Sequence, residues 1–133
     1  MERRPTSHSL PYEELTGAII GAFYDVYNAL GFGVLKRAYV NAPAIALQRA
    51  GLAVEREQAY DIYFRDTVVG RYRVDLLIEN AVLVEAKATH ALADADRRQV
   101  LSYLRCTGVE VGLLLHFGPA AKFERIVLRK SAR

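Results

Sequence analysis

One segment near the end of the chain, Val109–Phe117, is apolar at nearly every position, which is typical of a strand buried on both faces of a sheet. The middle of the chain holds three more segments that are rich in Val, Ile, Leu and Tyr. Short polar turns at Arg65-Asp66 and Glu79-Asn80 separate these three segments and predict a three-stranded meander. The predicted strands of the meander are Val54–Phe64, Val68–Ile78 and Ala81–Ala88.

Helical periodicity flanks the predicted strands. Apolar residues recur at three- and four-residue steps over Leu15–Leu30 and predict an amphipathic helix. A second helix is predicted from about Leu35 to Ala50, and Pro43 is expected to kink or split it. Asp94–Arg105 predicts a third helix, and Phe123–Leu128 predicts a final strand at an edge of the sheet.

Length and composition limit the classes of protein that are possible. The 133 residues suffice for one domain, expected over residues 11–128, with a flexible tail at 1–10 and a basic tail at 129–133. No apolar run reaches the roughly 18 residues of a membrane span and the first residues lack a signal-peptide core, so a cytoplasmic location is expected. Cys106 is the single cysteine, which excludes an intrachain disulfide and a cysteine-built zinc site. The net charge of +3 permits nucleic acid as a partner, and the abundant Tyr and Leu suggest a homo-oligomer.

Two carboxylates and a lysine fall on the second and third predicted strands. Side chains alternate across a strand, so Arg71, Arg73 and Asp75 are expected to share one face. Glu85 and Lys87 share a face of the next strand by the same rule. Because a short turn joins the two strands as antiparallel neighbours, Asp75 and Glu85 are expected to meet, with Lys87 close by.

Such a cluster suits a hard divalent cation, Mg²⁺ or Mn²⁺. Mg²⁺ takes oxygen ligands and commonly uses one or two carboxylates together with substrate phosphate. Asp75, Glu85 and the backbone carbonyl of Ala86 are therefore the candidate ligands, and Lys87 would orient or activate the attacking water. The alternative is a structural carboxylate–lysine salt bridge at a sheet edge, and the short D-x(9)-E-x-K spacing does not separate the two interpretations.

The stretch DLLIENAVLVEAK resembles the second and third strands of the PD-(D/E)XK nuclease superfamily. The wider chain resembles one branch, the small bacterial GxxExxY proteins, from Leu15 to Val127. The matching segments occur in the family's order: NALGFG, GVLKRAY, RAGLAVERE, VGRYRVDLLIE, VLVEAKA and QVLSYLRCTGVEVGLLLHFG. The resemblance implies an α/β, restriction-endonuclease-like PD-(D/E)XK core, with a mixed sheet flanked by helices in the order α(α)βββαβ(β). It also implies a metal-dependent nuclease that hydrolyses DNA or RNA.

The same resemblance extends to the third helix. Gln99 and Tyr103 match the Q-x-x-x-Y of the family and lie four residues apart, on one helix face. Gln99 would point at the attacking water or a phosphate, unless it is an ordinary surface residue. Arg73, Arg98 and Tyr103 are the further candidates for contact with substrate phosphate.

The chain departs from the family at one charged position. The motif that names the branch has glutamate where this chain has Lys36, within Gly33–Tyr39. A lysine there points away, contacts phosphate, or weakens metal binding and activity, unless Glu55 or Glu57 compensates. Two functions therefore stay open: a metal-dependent nuclease, or a catalytically impaired nuclease-fold protein that acts as a nucleic-acid-binding or self-assembling module.

Overall fold

The computed structural model describes residues 12–129, which form a five-stranded sheet with helices packed on it. The strand order is β1-β2-β3-β4-β5, and β3 and β4 are parallel while every other neighbouring pair is antiparallel. The predicted tails lie outside the described residues, apart from Arg129. The elements are α1 Glu13–Leu30, α2 Lys36–Arg49, β1 Val54–Phe64, β2 Thr67–Ile78, β3 Val82–Lys87, α3 Asp94–Thr107, β4 Val111–Phe117 and β5 Ala121–Val127.

This architecture confirms the predicted α/β fold with a mixed sheet. Helix α3 is the crossover that a parallel β3–β4 pair requires. All seven residues of β4 are buried, as predicted, and β5 lies at the sheet edge. Pro43 does not split α2, since the helix runs unbroken through it, and a kink there stays a prediction. Pro43 is buried, as are four other residues of this helix, and the packing of that face offsets one lost backbone hydrogen bond.

Two separate hydrophobic cores cover the two faces of the sheet. On one face α1 and α2 pack against the larger core, in which Phe23, Tyr39 and Phe117 are the largest fully buried residues. On the other face α3 packs through Val100 and Leu104. No helix within residues 12–129 is long and apolar enough to cross a membrane.

The turn between β2 and β3 sets the register on which the candidate site depends. Glu79 and Asn80 have φ angles of 55° and 54° and lie in the three-residue loop 79–81, which separates Ile78 from its ladder partner Val82. The Glu79 carboxylate also accepts a hydrogen bond of 2.6 Å from the backbone N–H of Ala53. The resulting antiparallel ladder pairs Leu76 with Val84.

The predicted alternation along β2 shifts by one residue near Asp75. Val74 packs in the core beneath α3, whereas Leu76 packs in the core beneath α1 and α2, although an unbroken strand would place both on one face. Glu57, which lies opposite this point in β1, has a φ of 51°. The local distortion breaks the strict alternation from which a shared face of Arg73 and Asp75 is predicted.

The connection between α1 and α2 is held by one buried hydroxyl. The Tyr39 hydroxyl donates to the carbonyl of Gly31 and accepts a hydrogen bond of 3.0 Å from the N–H of Val34. Its ring stacks on Phe117 with centroids 4.2 Å apart. These contacts fix where α2 begins and therefore where Lys36, its first residue, lies.

Replacing Tyr39 with phenylalanine should destabilise the protein by roughly 1–3 kcal/mol, because it leaves a backbone donor and a backbone acceptor without their partner. Urea denaturation would measure the change. Tyr63→Phe is the matched control, since Tyr63 is 62% exposed and its substitution should be neutral. Equal stabilities for the two variants would show that the hydroxyl does not hold this connection.

Candidate active site

Asp75 and Glu85 face each other where the ladder between β2 and β3 ends. The last pair of that ladder is Leu76 with Val84. Beyond it, side chains replace the backbone partners: the N–H of Ala86 donates to Asp75 Oδ2 at 2.9 Å, and the N–H of Asp75 donates to Glu85 Oε1 at 3.4 Å. The two strands thus hold the two carboxylates in one gap.

Lys87 joins this gap from the side of α3. Its Nζ donates to Gln99 Oε1 at 2.7 Å and lies 3.9 Å from Glu85 Oε2. Asp96 Oδ1 is also 3.9 Å from the same ammonium group. The sequence alone does not single out Asp96. Its position three residues before Gln99 on the same helix indicates that the two side chains can lie on one helix face. Its Oδ2 accepts a hydrogen bond of 2.9 Å from the N–H of Ala93, which holds the side chain at the start of α3.

Lys36 enters the same gap from the opposite side of the sheet. Its Nζ lies 3.3 Å from Asp75 Oδ2 and 3.9 Å from Glu85 Oε2. One ammonium group therefore contacts both carboxylates. Of the three outcomes expected for Lys36, pointing away from the site is excluded.

Burial and like charge perturb the ionisation of this cluster. The Glu85 side chain is only 4% exposed, and burial followed by the nearby charge of Asp75 raises its pKa to about 7. The charges of Lys36 and Lys87 oppose this rise. Burial, and then the negative charges of Glu85 and Asp75, raise the pKa of Tyr103 to about 12, so its hydroxyl stays protonated at neutral pH.

The three further candidates for phosphate contact have different surroundings. Arg73 is exposed and pairs with Glu57, with Nη1 3.7 Å from Oε1, so Glu57 offsets Arg73 rather than Lys36. Arg98 is exposed on α3, beside Gln99 in sequence. Tyr103 is buried, and its ring packs edge-to-face on Tyr72 at 4.7 Å. The Tyr103 ring thus belongs to the core beneath α3, and a contact of its hydroxyl with phosphate stays a prediction.

The donor atoms of this gap fit a hard divalent cation. The carboxylate oxygens of Asp75 and Glu85 are the ligand type that Mg²⁺ and Mn²⁺ prefer, and both lie within 4 Å of a single cationic group, Lys36 Nζ. Within residues 12–129 no group of three His, Cys, Asp or Glu side chains could hold a metal. A cation would thus use two carboxylates and a backbone carbonyl, with Ala86 as the candidate, and the Lys36 ammonium group would have to withdraw.

The mixed five-stranded sheet with flanking helices defines the class of this protein as restriction-endonuclease-like, of the PD-(D/E)XK type. The family model described as the PD-(D/E)XK nuclease superfamily matches residues 13–127, and the chain belongs to this superfamily.

A solved structure adds support for the fold alone. The crystal structure of SSO0001 is similar with a TM-score of 0.52 and 17% sequence identity, over 89% of this chain and 60% of that one. The chain therefore spans less than two thirds of the length of SSO0001. No curated protein matches the chain.

The raised pKa of Glu85 predicts how stability without metal depends on pH. An ordinary glutamate titrates near 4.5, whereas folded Glu85 titrates near 7, so protonation of Glu85 favours the folded state. This contribution is fully present below about pH 4.5 and is lost as the pH rises to about 7, by roughly 3 kcal/mol. In urea denaturation with EDTA, Glu85→Gln should therefore gain that much over wild type between pH 4.5 and 7.5. A difference that does not change with pH would show that Glu85 titrates normally.

Proposed function

We propose that this protein is a metal-dependent nuclease in which Asp75, Glu85 and the carbonyl of Ala86 hold Mg²⁺ or Mn²⁺. The observation that carries the proposal is the convergence of both carboxylates on one cationic group, at 3.3 and 3.9 Å. The raised pKa of Glu85 supports it, because a buried pair of like charges gains free energy from a shared cation.

In this proposal the divalent cation and Lys87 have different roles in phosphodiester hydrolysis. When bound, the divalent cation would polarise the phosphoryl group of the substrate and stabilise the charge that develops on it. Lys87 is anchored by Gln99 at 2.7 Å, which keeps its ammonium group beside Glu85. From there Lys87 can orient the attacking water and stabilise a phosphate oxygen through a charge-assisted hydrogen bond.

Gln99 acts on the reaction through Lys87 in this proposal. Its carbonyl oxygen accepts from Lys87 Nζ, so the amide is a positioning group for the lysine. The predicted direct contact between Gln99 and a phosphate would have to come from its amide nitrogen.

The proposed substrate is DNA or RNA. The superfamily implies nucleic acid as the partner, and the net charge of +3 is compatible with a polyanion. Exposed Arg98, beside Gln99, is proposed to contact the phosphate backbone. Membership in the GxxExxY branch, a cytoplasmic setting and self-association are parts of the same proposal, which rest on the sequence alone.

The second candidate function is a nuclease-fold protein with impaired chemistry that binds nucleic acid. The observation that favours it is again Lys36, whose ammonium group contacts both carboxylates. If that ion pair is stronger than metal binding, the site keeps its shape but does not cleave. The two candidates differ in one measurable property, the affinity for a divalent cation.

The test combines calorimetric titration of Mg²⁺ and Mn²⁺ with a plasmid-nicking assay, on wild type and Glu85→Ala. The nuclease proposal expects wild type to bind metal and to nick only with metal present, and Glu85→Ala to lose both properties. Glu55→Ala is the matched control, because Glu55 is an exposed glutamate of the same sheet and its loss should change neither. A wild-type protein that binds DNA but neither binds metal nor nicks would favour the second candidate.

A further inference from the structure

A cavity of about 710 Å³ lies beside the proposed catalytic centre, beyond the carboxyl ends of the parallel strands β3 and β4. Its volume falls within the range of small-molecule sites. We propose that this cavity binds one nucleotide unit, base and phosphate together, of the strand that the proposed nuclease cleaves. The inference rests on the proposed function and adds to it a substrate contact outside the carboxylate centre.

The position of the cavity favours a ligand. In open α/β sheets, ligands bind in the crevice outside the carboxyl ends of parallel strands. The walls come from the loop after β3, represented by His90, and from residues 119–124 after β4. Lys87 and His116 are direct partners in the β3–β4 ladder, and His116 lines the cavity. The cavity therefore begins one strand away from Lys87.

Two aromatic side chains offer a surface for a base. Tyr24 and Phe123 both line the cavity and are 38% and 37% exposed, unlike the fully buried aromatic residues of the core. Their rings meet edge-to-face with centroids 6.3 Å apart, which holds each ring in place. Exposed aromatic faces of this kind stack on nucleobases regardless of sequence.

Two long cationic side chains of the described residues line the cavity, Arg97 and Lys122, and Lys122 is the one that remains free to bind a phosphate. Arg97 also lines the wall, but its guanidinium is committed to Glu124, at 2.6 and 2.8 Å from Nε, and to Asp94 at 2.9 Å. Lys122 is exposed, lines the cavity and has no ion-pair partner in the described part of the chain. Its neighbour in the β4–β5 ladder is His116, so it follows Lys87 and His116 along the same end of the sheet.

His116 lines the cavity, and one of its ring nitrogens lacks a hydrogen-bond partner within the residues that the structure describes. Its Nε2 donates to the carbonyl of Thr89 at 2.7 Å, which leaves Nδ1 as the other ring nitrogen. The residue is 3% exposed, and Nδ1 has no hydrogen-bond partner among residues 12–129. Because Nδ1 is closed off from solvent, His116 forms part of the cavity wall, and the ligand contacts of the proposal come from Tyr24, Phe123 and Lys122.

The experiment measures binding of a short single-stranded oligonucleotide carrying 2-aminopurine, in Ca²⁺ to keep it intact, by anisotropy and by quenching of the base. Phe123→Ala should weaken binding about tenfold or more and abolish the quenching, because stacking on the ring is lost. Lys122→Glu should weaken binding and lower the salt dependence by about one phosphate contact. Lys122 is exposed, so this second variant is expected to fold normally. Phe64→Ala, which removes a ring 60% exposed at the tip of the β1–β2 hairpin, should leave binding unchanged.

Competition with free deoxynucleoside monophosphates distinguishes two ligands for the cavity: one nucleotide within a strand, and a free nucleotide. We expect competition only at concentrations far above that of the oligonucleotide. Tight binding of the free nucleotide, lost in Phe123→Ala while oligonucleotide binding persists, would overturn the assignment to the strand. Equal oligonucleotide binding by all variants would overturn the cavity proposal and leave the nuclease proposal standing. Failure of the wild type to bind the single-stranded oligonucleotide would overturn the cavity proposal, and loss of metal-dependent plasmid nicking is the separate result that would overturn the nuclease proposal.

Discussion

Asp75→Asn is expected to lower the rate of phosphodiester cleavage by about a thousandfold or more, while the protein stays folded. The change removes one of two carboxylates that would hold the cation, and electrostatic stabilisation of this kind contributes factors of about a hundred to a thousand for a single group. Asparagine keeps a carbonyl oxygen that can accept the 2.9 Å hydrogen bond from Ala86, so the end of the β2–β3 ladder should persist. Single-turnover nicking with saturating Mg²⁺ measures the effect.

The matched control for this change is Asp61→Asn. Asp61 lies in the same sheet and pairs with Arg71, at 2.9 Å, in the exposed part of the β1–β2 hairpin. It should leave cleavage unchanged, because surface ion pairs contribute about 1 kcal/mol or less to stability and this pair contacts no site residue. A rate for Asp75→Asn within tenfold of wild type would mean that Asp75 does not hold the catalytic cation.

Lys36→Glu is expected to raise the affinity for Mg²⁺ or Mn²⁺ by at least about tenfold. The wild-type ammonium group contacts both carboxylates and must be displaced by an incoming cation. Unit charges 4 Å apart interact by about 4 kcal/mol near a protein surface, and because Lys36 is 44% exposed we expect a third or less of that value for each contact. Glutamate also supplies another oxygen ligand, which strengthens binding of a hard cation. Calorimetry measures the affinity, and Arg37→Glu is the control for a general gain of negative charge.

The effect of the same variant on nucleic acid separates two roles for Lys36. If Lys36 only blocks the cation, Lys36→Glu should bring an increase in cleavage along with the tighter metal binding. If Lys36 moves to a substrate phosphate once metal is present, the variant should bind DNA more weakly with a flatter salt dependence. Unchanged metal affinity, DNA affinity and cleavage would show that the ion pairs of Lys36 with the two carboxylates do not affect function.

The centre of the site could be predicted from the sequence because it depends on local features. These are the alternation of side chains along each strand and the residue types of the turn between the strands. Glu79-Asn80 predicts a short antiparallel hairpin, and the ladder confirms one, with residues 79–81 in the loop between Ile78 and Val82. A short hairpin and the alternation of side chains suffice to predict that Asp75 lies near Glu85, with Lys87 close by.

The parts that the sequence did not predict depend on long-range geometry. The shift of alternation between Val74 and Leu76 comes with a left-handed residue on the neighbouring strand, Glu57, and nothing in the pattern of β2 marks it. The contact of Lys36 with the carboxylates depends on the loop that Tyr39 anchors and on how α2 docks on the sheet. The cavity combines α1, α3 and the segments after β3 and β4, so no single stretch of sequence carries its signature.

The central claim is that Asp75 and Glu85 hold a divalent cation, and its most direct measurement is paramagnetic line broadening by Mn²⁺. Substoichiometric Mn²⁺ added to ¹⁵N-labelled wild-type protein should first broaden the amide signals of Asp75, Glu85, Ala86 and Lys87, and excess Mg²⁺ should restore them. Glu85→Gln should require much more Mn²⁺ for the same effect. Broadening that begins elsewhere, or signals from these four residues that stay sharp in the presence of a stoichiometric amount of Mn²⁺, would contradict the claim.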